Sequence, residues 1–183
     1  MSDGYVCPKC GLDYDTIHEG DAKVAIRSYP RRYRSALAAL LDDDDAEQAD
    51  AIVRRRPEPE VWSALEYTAH VADVLGGMAP MIREMRVKDS PTIDFVDLGS
   101  FAAAERGELD AEGALRALEQ GADELARELD AVGADEWTRV ATFPWGERDI
   151  LATTRNAVHE GSHHLRDVTD VLDAVRGRAG SSG

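Results

Sequence analysis

The chain has 183 residues, and its 36 acidic residues outnumber its 21 basic residues, so the formal net charge is −15. A chain of this length can bury one hydrophobic core, and 43% hydrophobic with 31% charged residues is typical of a folded domain. The negative charge excludes a nucleic acid or an anionic membrane as the expected partner, because both repel an acidic surface.

Membrane insertion and secretion are also not expected. No segment approaches the roughly 20 consecutive apolar residues that span a bilayer, and the N-terminal residues lack the basic-then-apolar pattern of a secretory signal. The sequence therefore predicts a cytoplasmic protein without a membrane partner.

The hydrophobic pattern divides the chain into three parts. Residues 1–20 are aperiodic and predict an N-terminal arm, residues 21–176 show helical periodicity, and residues 177–183 end in Gly and Ser and predict a flexible tail. No segment alternates with the period of two that is typical of a strand. We therefore predict an all-α fold.

The periodic part predicts four helices, which pack as a four-helix bundle. They are expected at about 21–41, 62–85, 110–132 and 149–176. Pro30 should kink the first helix or mark its true start, and Ser63 is a suitable N-cap for the second. The intervening segments 87–108 and 136–146 are predicted loops, with one helical turn near 101–105 in the first of them.

The fourth predicted helix carries three of the five histidines of the chain. Glu160 and His164 are one turn apart at the edge of its apolar stripe, so they should face into the bundle. His159 and His163 are also one turn apart, but they lie on the opposite, polar side and are expected to face solvent. Either pair can bind one metal ion, because side chains four residues apart on a helix are neighbours.

On the second predicted helix, His70 lies at an apolar edge beside Tyr67 and Val74. Metal sites in helix bundles are built from inward-facing side chains of different helices. An inward histidine on one helix and an inward Glu/His pair on another therefore predict a shared metal site.

These residues resemble a known family. Trp-Ser-Ala-Leu-Glu at 62–66, Ala-His-Val-Ala-Asp at 69–73 and His-Glu-x-x-x-His-x-x-Asp at 159–167 resemble the DinB-like superfamily. They are most similar to its mycothiol-dependent maleylpyruvate isomerase branch. The resemblance covers about residues 21–176 and implies a four-helix bundle with up-down-down-up topology.

The resemblance also implies a divalent-metal site with one ligand from the second helix and two from the last. Carried over to this sequence, the ligands are His70, Glu160 and His164. Other branches of the superfamily use two histidines on the last helix, which leaves His159 and His163 as alternative ligands. Asp167 is expected to orient a ligand imidazole through a hydrogen bond.

Two imidazoles and one carboxylate suit zinc or a similar ion and leave a coordination position open for chemistry. The resemblance implies an enzyme that uses a low-molecular-weight thiol such as mycothiol for S-transfer or isomerisation. Two alternatives stay open: a metal-dependent hydrolase, and a non-catalytic bundle that binds metal for stability or for dimerisation. The expected partners are a small thiol or electrophile and a second copy in a homodimer.

Residues of the two loops can complete a substrate pocket or cap the end of the bundle. The aromatic candidates are Phe101, Trp137, Phe143 and Trp145. An anionic substrate also needs a positive group, for which the candidates are Arg83, Arg86, Arg148 and Arg155.

Cys7 and Cys10 are the two cysteines of the chain. In a reducing compartment, a Cys-x-x-Cys pair indicates metal or redox chemistry rather than a disulfide framework. A zinc knuckle needs two further ligands, for which the sequence offers His18 with Asp13 or Asp15. A zinc site of Cys7, Cys10 and His18 and an unmetallated or redox-active pair both stay open.

Overall fold

A computed structural model describes residues 4–41, 44–94 and 99–180, the last three of these by their backbone alone. An N-terminal arm with a 3₁₀ turn at Tyr14–Thr16 precedes the helices α1 (Glu19–Leu41), α2 (Ala46–Val53), α3 (Ala64–Val87), α4 (Ser100–Glu105), α5 (Ala111–Asp130) and α6 (Ile150–Gly180). Strands β1 (Val140–Phe143) and β2 (Gly146–Asp149) form an antiparallel hairpin before α6. The predicted four-helix bundle is confirmed, with one short hairpin added to the helices.

The four long helices α1, α3, α5 and α6 surround one core, in which α1 and α3 each pack against both α5 and α6. Ion pairs give the directions of α1 and α5. Arg27 of α1 pairs with Asp130 at the end of α5, and Arg34, farther along α1, pairs with Glu112 at the start of α5. Helices α1 and α5 are therefore antiparallel.

Contacts of the other two helices complete the topology. Glu128, near the end of α5, pairs with Arg83 near the end of α3, so α3 and α5 run parallel. The carbonyl oxygen of Ile17, just before α1, accepts a hydrogen bond from Arg155 near the start of α6. Tyr33, farther along α1, donates a hydrogen bond to the carbonyl oxygen of Gly161, which lies farther along α6. Helices α1 and α6 therefore also run parallel, and the order is the predicted up-down-down-up.

The helix boundaries follow from capping and packing. Ser63 caps α3 as predicted, in a reciprocal pair of hydrogen bonds with Glu66. Pro30 does not mark the start of α1, because the helix begins at Glu19 and continues through the proline. Ile26 and Tyr33 are fully buried on either side of Pro30, so core packing outweighs the lost backbone hydrogen bond.

The prediction that the chain contains no strand is wrong, because the predicted loop 136–146 overlaps the hairpin. In β1, Ala141 and Phe143 point into the core while Val140 and Thr142 are exposed, and Gly146 makes the turn with a φ of +110°. A strand of this length is too short for its alternation to be distinct in the sequence.

Other segments differ from the predictions in extent. Helix α2 was not predicted, and α4 corresponds to the single turn expected near 101–105. The predicted tail at 177–183 begins inside α6, which runs to Gly180, and residues 181–183 lie outside the described residues. In the part of the chain that the structure describes, none of the helices combines the length and the apolar composition that crossing a bilayer requires.

The α3–α5 contact predicts the effect of a single methyl group. A Cβ added at Gly121 of α5 would lie 2.9 Å from the Ala72 carbonyl oxygen and the Gly76 nitrogen of α3. We expect Gly121→Ala to lower the free energy of unfolding by about 1–3 kcal/mol, because the backbone atoms of α3 cannot move aside without disturbing that helix. Gly177→Ala, where nothing lies within 4 Å, is the matched control and should be neutral or slightly stabilising. Urea denaturation measures both, and equal stability of the two variants would contradict the close approach.

Candidate metal centre

Helices α3 and α6 bring His70, Glu160 and His164 together. The Nε2 atom of His70 lies 3.4 Å from Oε2 of Glu160, and Nε2 of His164 lies 3.2 Å from the same oxygen. One potential ligand atom from each residue lies within 4.8 Å of the other two. The helical spacing and the α3–α6 contact therefore create the predicted three-residue group at the centre of the bundle.

The electrostatics of this group favour an anionic Glu160. Burial acts to raise the pKa of its carboxyl, but the neighbouring imidazoles of His159, His164 and His70 outweigh burial and hold the pKa well below its usual range. Burial lowers the pKa of His164, but Asp167 and Glu160 outweigh that effect and raise it to about 8. A negative oxygen facing two imidazole nitrogens is a suitable donor set for a divalent cation.

Asp167 orients the imidazole of His164. Its side chain is 4% exposed, and its Oδ2 atom accepts a hydrogen bond from Nδ1 of His164 at 2.8 Å. With Nδ1 held by Asp167, Nε2 faces Glu160, and it becomes the metal-binding nitrogen when a cation displaces its proton. Burial acts to raise the pKa of Asp167, but the hydrogen bond from His164 and the ion pair with Lys9 of the N-terminal arm outweigh burial and lower the pKa.

Aromatic rings cover one side of the group. Tyr67 stacks on His164 with ring centroids 5.1 Å apart, and Trp62 lies 5.2 Å from His70. Asp73 accepts hydrogen bonds from the backbone N–H groups of Ser100 and Phe101 at the start of α4, and this contact holds the Phe101 ring 4.6 Å from Trp62. The rings limit the access of water from this side.

A cavity of about 380 Å³ opens on the other side of the group. His70 and Glu160 form part of its wall, so the cavity reaches the candidate ligands directly. Its apolar lining combines α3 with the hairpin: Val74, Met78, Met81, Phe143 and Trp145. The size and the lining suit a small organic molecule.

The structure separates the four predicted aromatic residues by location. Phe143 and Trp145 line the cavity and stack on each other with centroids 5.4 Å apart. Trp137 is instead buried in the core, and Phe101 packs on Trp62. Two of the four candidates therefore lie where a substrate could contact them.

The four predicted arginines separate in the same way. Arg148 lines the cavity. Arg83 and Arg86 both pair with Glu128 at the far end of α3 and α5, and Arg155 donates to the carbonyl oxygen of Ile17. Arg148 is therefore the cationic side chain of this set that can meet an anionic substrate.

His159 and His163 do not face open solvent, contrary to the prediction from the helical wheel. The N-terminal arm folds back over this side of α6, and His159 is only 8% exposed. The rings of Tyr5 and Tyr14 contact His159 at centroid distances of 6.0 and 5.6 Å. A helical wheel identifies a polar face, but it does not indicate which distant segment covers that face.

The arm brings its cysteines to the same two histidines. Cys7 Sγ lies 3.4 Å from His163 Nδ1, and potential ligand atoms of Cys7, Cys10, His159 and His163 lie within 4.8 Å of one another. His18 is not part of this group; it is exposed, and its backbone N–H donates to Asp21. Asp13 and Asp15 also lie outside the group. The predicted set of Cys7, Cys10 and His18 is therefore not brought together.

The environment of Cys7 favours its thiolate. Burial raises the pKa of the thiol, but the backbone N–H groups of Cys10 and Lys9 and the neighbouring imidazole of His159 outweigh burial and lower the pKa to about 5. Among the described residues, His159 and His163 do not combine with His70 into a ligand group. The alternative ligand pair thus belongs to a different cluster.

Comparisons with known proteins agree with this architecture. The family model of the DinB superfamily matches residues 27–168. The solved structure of YfiT from Bacillus subtilis resembles the chain with a TM-score of 0.71, covering 89% of this chain and 91% of that one at 14% sequence identity. YfiT is described as a probable metal-dependent hydrolase with an unusual four-helix bundle topology. None of the curated proteins compared with the chain matches it significantly.

The contact between Asp167 and His164 predicts a pH effect in chelator-treated protein. We expect the pKa of His164, about 8 in the parent chain, to fall in Asp167→Asn, because an amide does not stabilise the imidazolium. A raised pKa stabilises the folded chain fully below about pH 6.5, and this contribution is lost as the pH rises through about 8. NMR titration of His164 measures the shift.

Asp170→Asn is the matched control, since Asp170 lies on the same helix with a side chain that is 59% exposed. Its substitution should leave the His164 titration unchanged. A parent-like titration in Asp167→Asn would contradict the assigned hydrogen bond.

Proposed function

The chain belongs to the DinB superfamily, and from this premise we propose that it is a divalent-metal-dependent enzyme whose ligands are His70, Glu160 and His164. The observation that carries the proposal is the convergence of three donor atoms from two helices, within 4.8 Å of one another, at the wall of a cavity. Donors that only stabilise a fold do not need an adjoining cavity.

The donor set fits a catalytic ion. Two imidazole nitrogens and a carboxylate oxygen are the ligands that zinc takes in enzymes, where three protein ligands leave one position for a substrate or water. Among the described residues, the group that contains His70 has no fourth protein donor. This supports an open site rather than the closed site of a purely structural, non-catalytic bundle.

A bound divalent cation supplies a Lewis acid that lowers the pKa of a thiol or of water. Asp167 holds the His164 imidazole in the tautomer that presents Nε2, and Glu160 contributes its negative charge. Tyr67 and Trp62 exclude water on the side away from the cavity. The residues of the chain thus provide orientation, charge and a partly dry site.

The lining of the cavity favours thiol chemistry over hydrolysis. Apart from His70 and Glu160, the described residues that line it include no carboxylate and no imidazole. Both water and a thiol lose a proton more easily on metal coordination, but hydrolysis usually also needs a group that protonates the leaving group. We therefore favour a low-molecular-weight thiol of the mycothiol type as co-substrate, with S-transfer or isomerisation as the reaction.

Hydrolysis is the second candidate, because the structurally similar YfiT is described as a probable metal-dependent hydrolase. The two functions differ in one measurable respect. A thiol-dependent enzyme turns over an electrophile only when a thiol is present, whereas a hydrolase cleaves its substrate in the presence of metal and water alone.

The ligand assignment predicts a loss of metal and of activity together. We expect His70→Ala and His164→Ala each to lower metal content at this site and to abolish thiol-dependent turnover of model electrophiles, because two remaining ligands bind weakly. Elemental analysis and a turnover assay with mycothiol and other small thiols measure the two effects. His18→Ala, which changes an exposed histidine, is the control and should behave as the parent chain.

Three outcomes separate the alternatives. Full metal retention in both ligand variants would remove the proposed site. Turnover that is independent of any thiol would favour the hydrolase, and retained metal without turnover by either route would favour a non-catalytic bundle.

Arg148 predicts a preference for an anionic substrate. Arg148 lines the cavity that Glu160 also reaches, and one of its terminal nitrogens donates to the Glu147 carbonyl oxygen. The other N–H groups of the guanidinium can pair with a carboxylate on the electrophile. We expect Arg148→Gln to raise the KM for an anionic electrophile about tenfold, with little change for a neutral analogue. Arg116→Gln on the exposed face of α5 is the control, and equal effects on both substrates would contradict the assignment.

A further inference from the structure

The N-terminal arm carries a second group of ligand atoms that the proposed reaction does not use. Cys7, Cys10, His159 and His163 offer two sulfurs and two ring nitrogens within 4.8 Å of one another. Tetrahedral zinc with its usual bond lengths places such atoms about 3.3–3.8 Å apart, and Cys7 Sγ already lies 3.4 Å from His163 Nδ1. Only a small contraction separates the group from a complete coordination sphere.

His159 supplies an independent reason to expect a ligand here. Its residue is 8% exposed, and neither ring nitrogen has a hydrogen-bond partner. Buried polar nitrogens normally have partners, because their desolvation is otherwise uncompensated. Tyr5 and Tyr14 cover the ring and leave it directed towards the cysteines, so a metal ion would satisfy the unpaired nitrogen.

The local structure of the arm is suited to present both sulfurs to one ion. Cys7 donates its N–H to the carbonyl of Leu12 at 2.9 Å and accepts from Gly11 at 2.8 Å. Gly11 has a φ of +74°, a conformation that favours glycine. This tight turn holds the Cys-x-x-Cys pair in place before any ion binds.

We propose that Cys7, Cys10, His159 and His163 form a closed structural zinc site that fastens the N-terminal arm to α6. Four protein donors fill the tetrahedral sphere and leave no position for a substrate. Two thiolates balance the charge of a divalent ion, and their softness selects zinc over magnesium or calcium. The site is thus distinct in chemistry from the sulfur-free group of His70, Glu160 and His164.

Several contacts join the two groups: His159 Nδ1 lies 3.8 Å from Glu160 Oε1, and His163 Nε2 lies 3.6 Å from Asp167 Oδ2. Lys9, between the two cysteines, contacts Asp167, and Asp167 holds His164. An arm fastened by zinc therefore keeps Lys9 in place against a carboxylate that orients a ligand of the other centre. Loss of the zinc site should weaken metal binding at His70, Glu160 and His164 without removing any of its donors.

The test uses cobalt substitution and thiol reactivity in the full-length chain. We expect two metal equivalents per chain, and a sulfur-to-cobalt charge-transfer band in the parent chain and in His70→Ala. The band should be absent in the double variant Cys7→Ser/Cys10→Ser, which should bind cobalt only at His70, Glu160 and His164 and more weakly than the parent chain does. His18→Ala is the control and should keep both equivalents and the band.

Thiol reactivity supplies a readout that needs no variant. Because the chain has only two cysteines, a thiol-specific reagent reports on this site alone. Both thiols should resist modification in the zinc-loaded parent chain and react after chelation. Three results would overturn the proposal. They are freely reactive thiols in the zinc-loaded protein, a Cys7–Cys10 disulfide in protein purified under reducing conditions, and a cobalt spectrum without the charge-transfer band. None of these readouts depends on enzymatic activity, so they fail or succeed separately from the proposed function.

Discussion

The contact between two tyrosines of α1 and the backbone of α6 determines where every candidate ligand on α6 points. Tyr29 donates to the Val158 carbonyl at 2.7 Å, and Tyr33 donates to the Gly161 carbonyl at 2.9 Å. A Cβ at Gly161 would lie 2.3 Å from the Tyr29 ring, so only glycine permits this approach. These bonds fix the rotation of α6 about its axis, because both hydroxyls and both carbonyls are buried.

Because the rotation of α6 is fixed, neighbouring residues of this helix face different parts of the molecule. Glu160 and His164 face His70 of α3, and Glu160 also lines the cavity, while His159 and His163 face the arm. Asp167 lies one turn beyond and contacts both the arm and His164. The carboxylates of Glu160 and Asp167 are thereby matched by imidazoles and a lysine.

The sequence was sufficient for the features that depend on local periodicity. The apolar stripes of α3 and α6 identified the inward positions of His70, Glu160 and His164, and Ser63 marked the start of α3, because capping and amphipathicity are encoded within a few residues. The hairpin was missed because Ala141 and Phe143 are its only inward residues on β1. Short strands owe their stability to the core beneath them rather than to their own pattern.

The partners of Cys7 and Cys10 were beyond sequence reasoning for a different reason. Nearness along the chain pointed to His18, but the arm folds back and meets α6 more than 150 residues away, as the separation of 156 residues between Cys7 and His163 shows. Contacts at such a separation depend on the complete bundle, and a helical wheel displays His159 and His163 only as polar. The sequence offered one signal. The Cys-x-x-Cys pair and the histidines at 159 and 163, one helical turn apart, together supply the four ligands that a structural zinc site needs.

The two histidine-containing pairs, 159 with 163 and 160 with 164, alternate along α6. This arrangement limits the insertions and deletions that the helix can accept during evolution. Each added or deleted residue turns all later positions by about 100°. An insertion between Gly161 and Ser162 would leave the first member of each pair in place and swing the second member away from it. Substitutions can be tolerated at many positions of α6, but an insertion or deletion between residues 160 and 163 would separate both pairs.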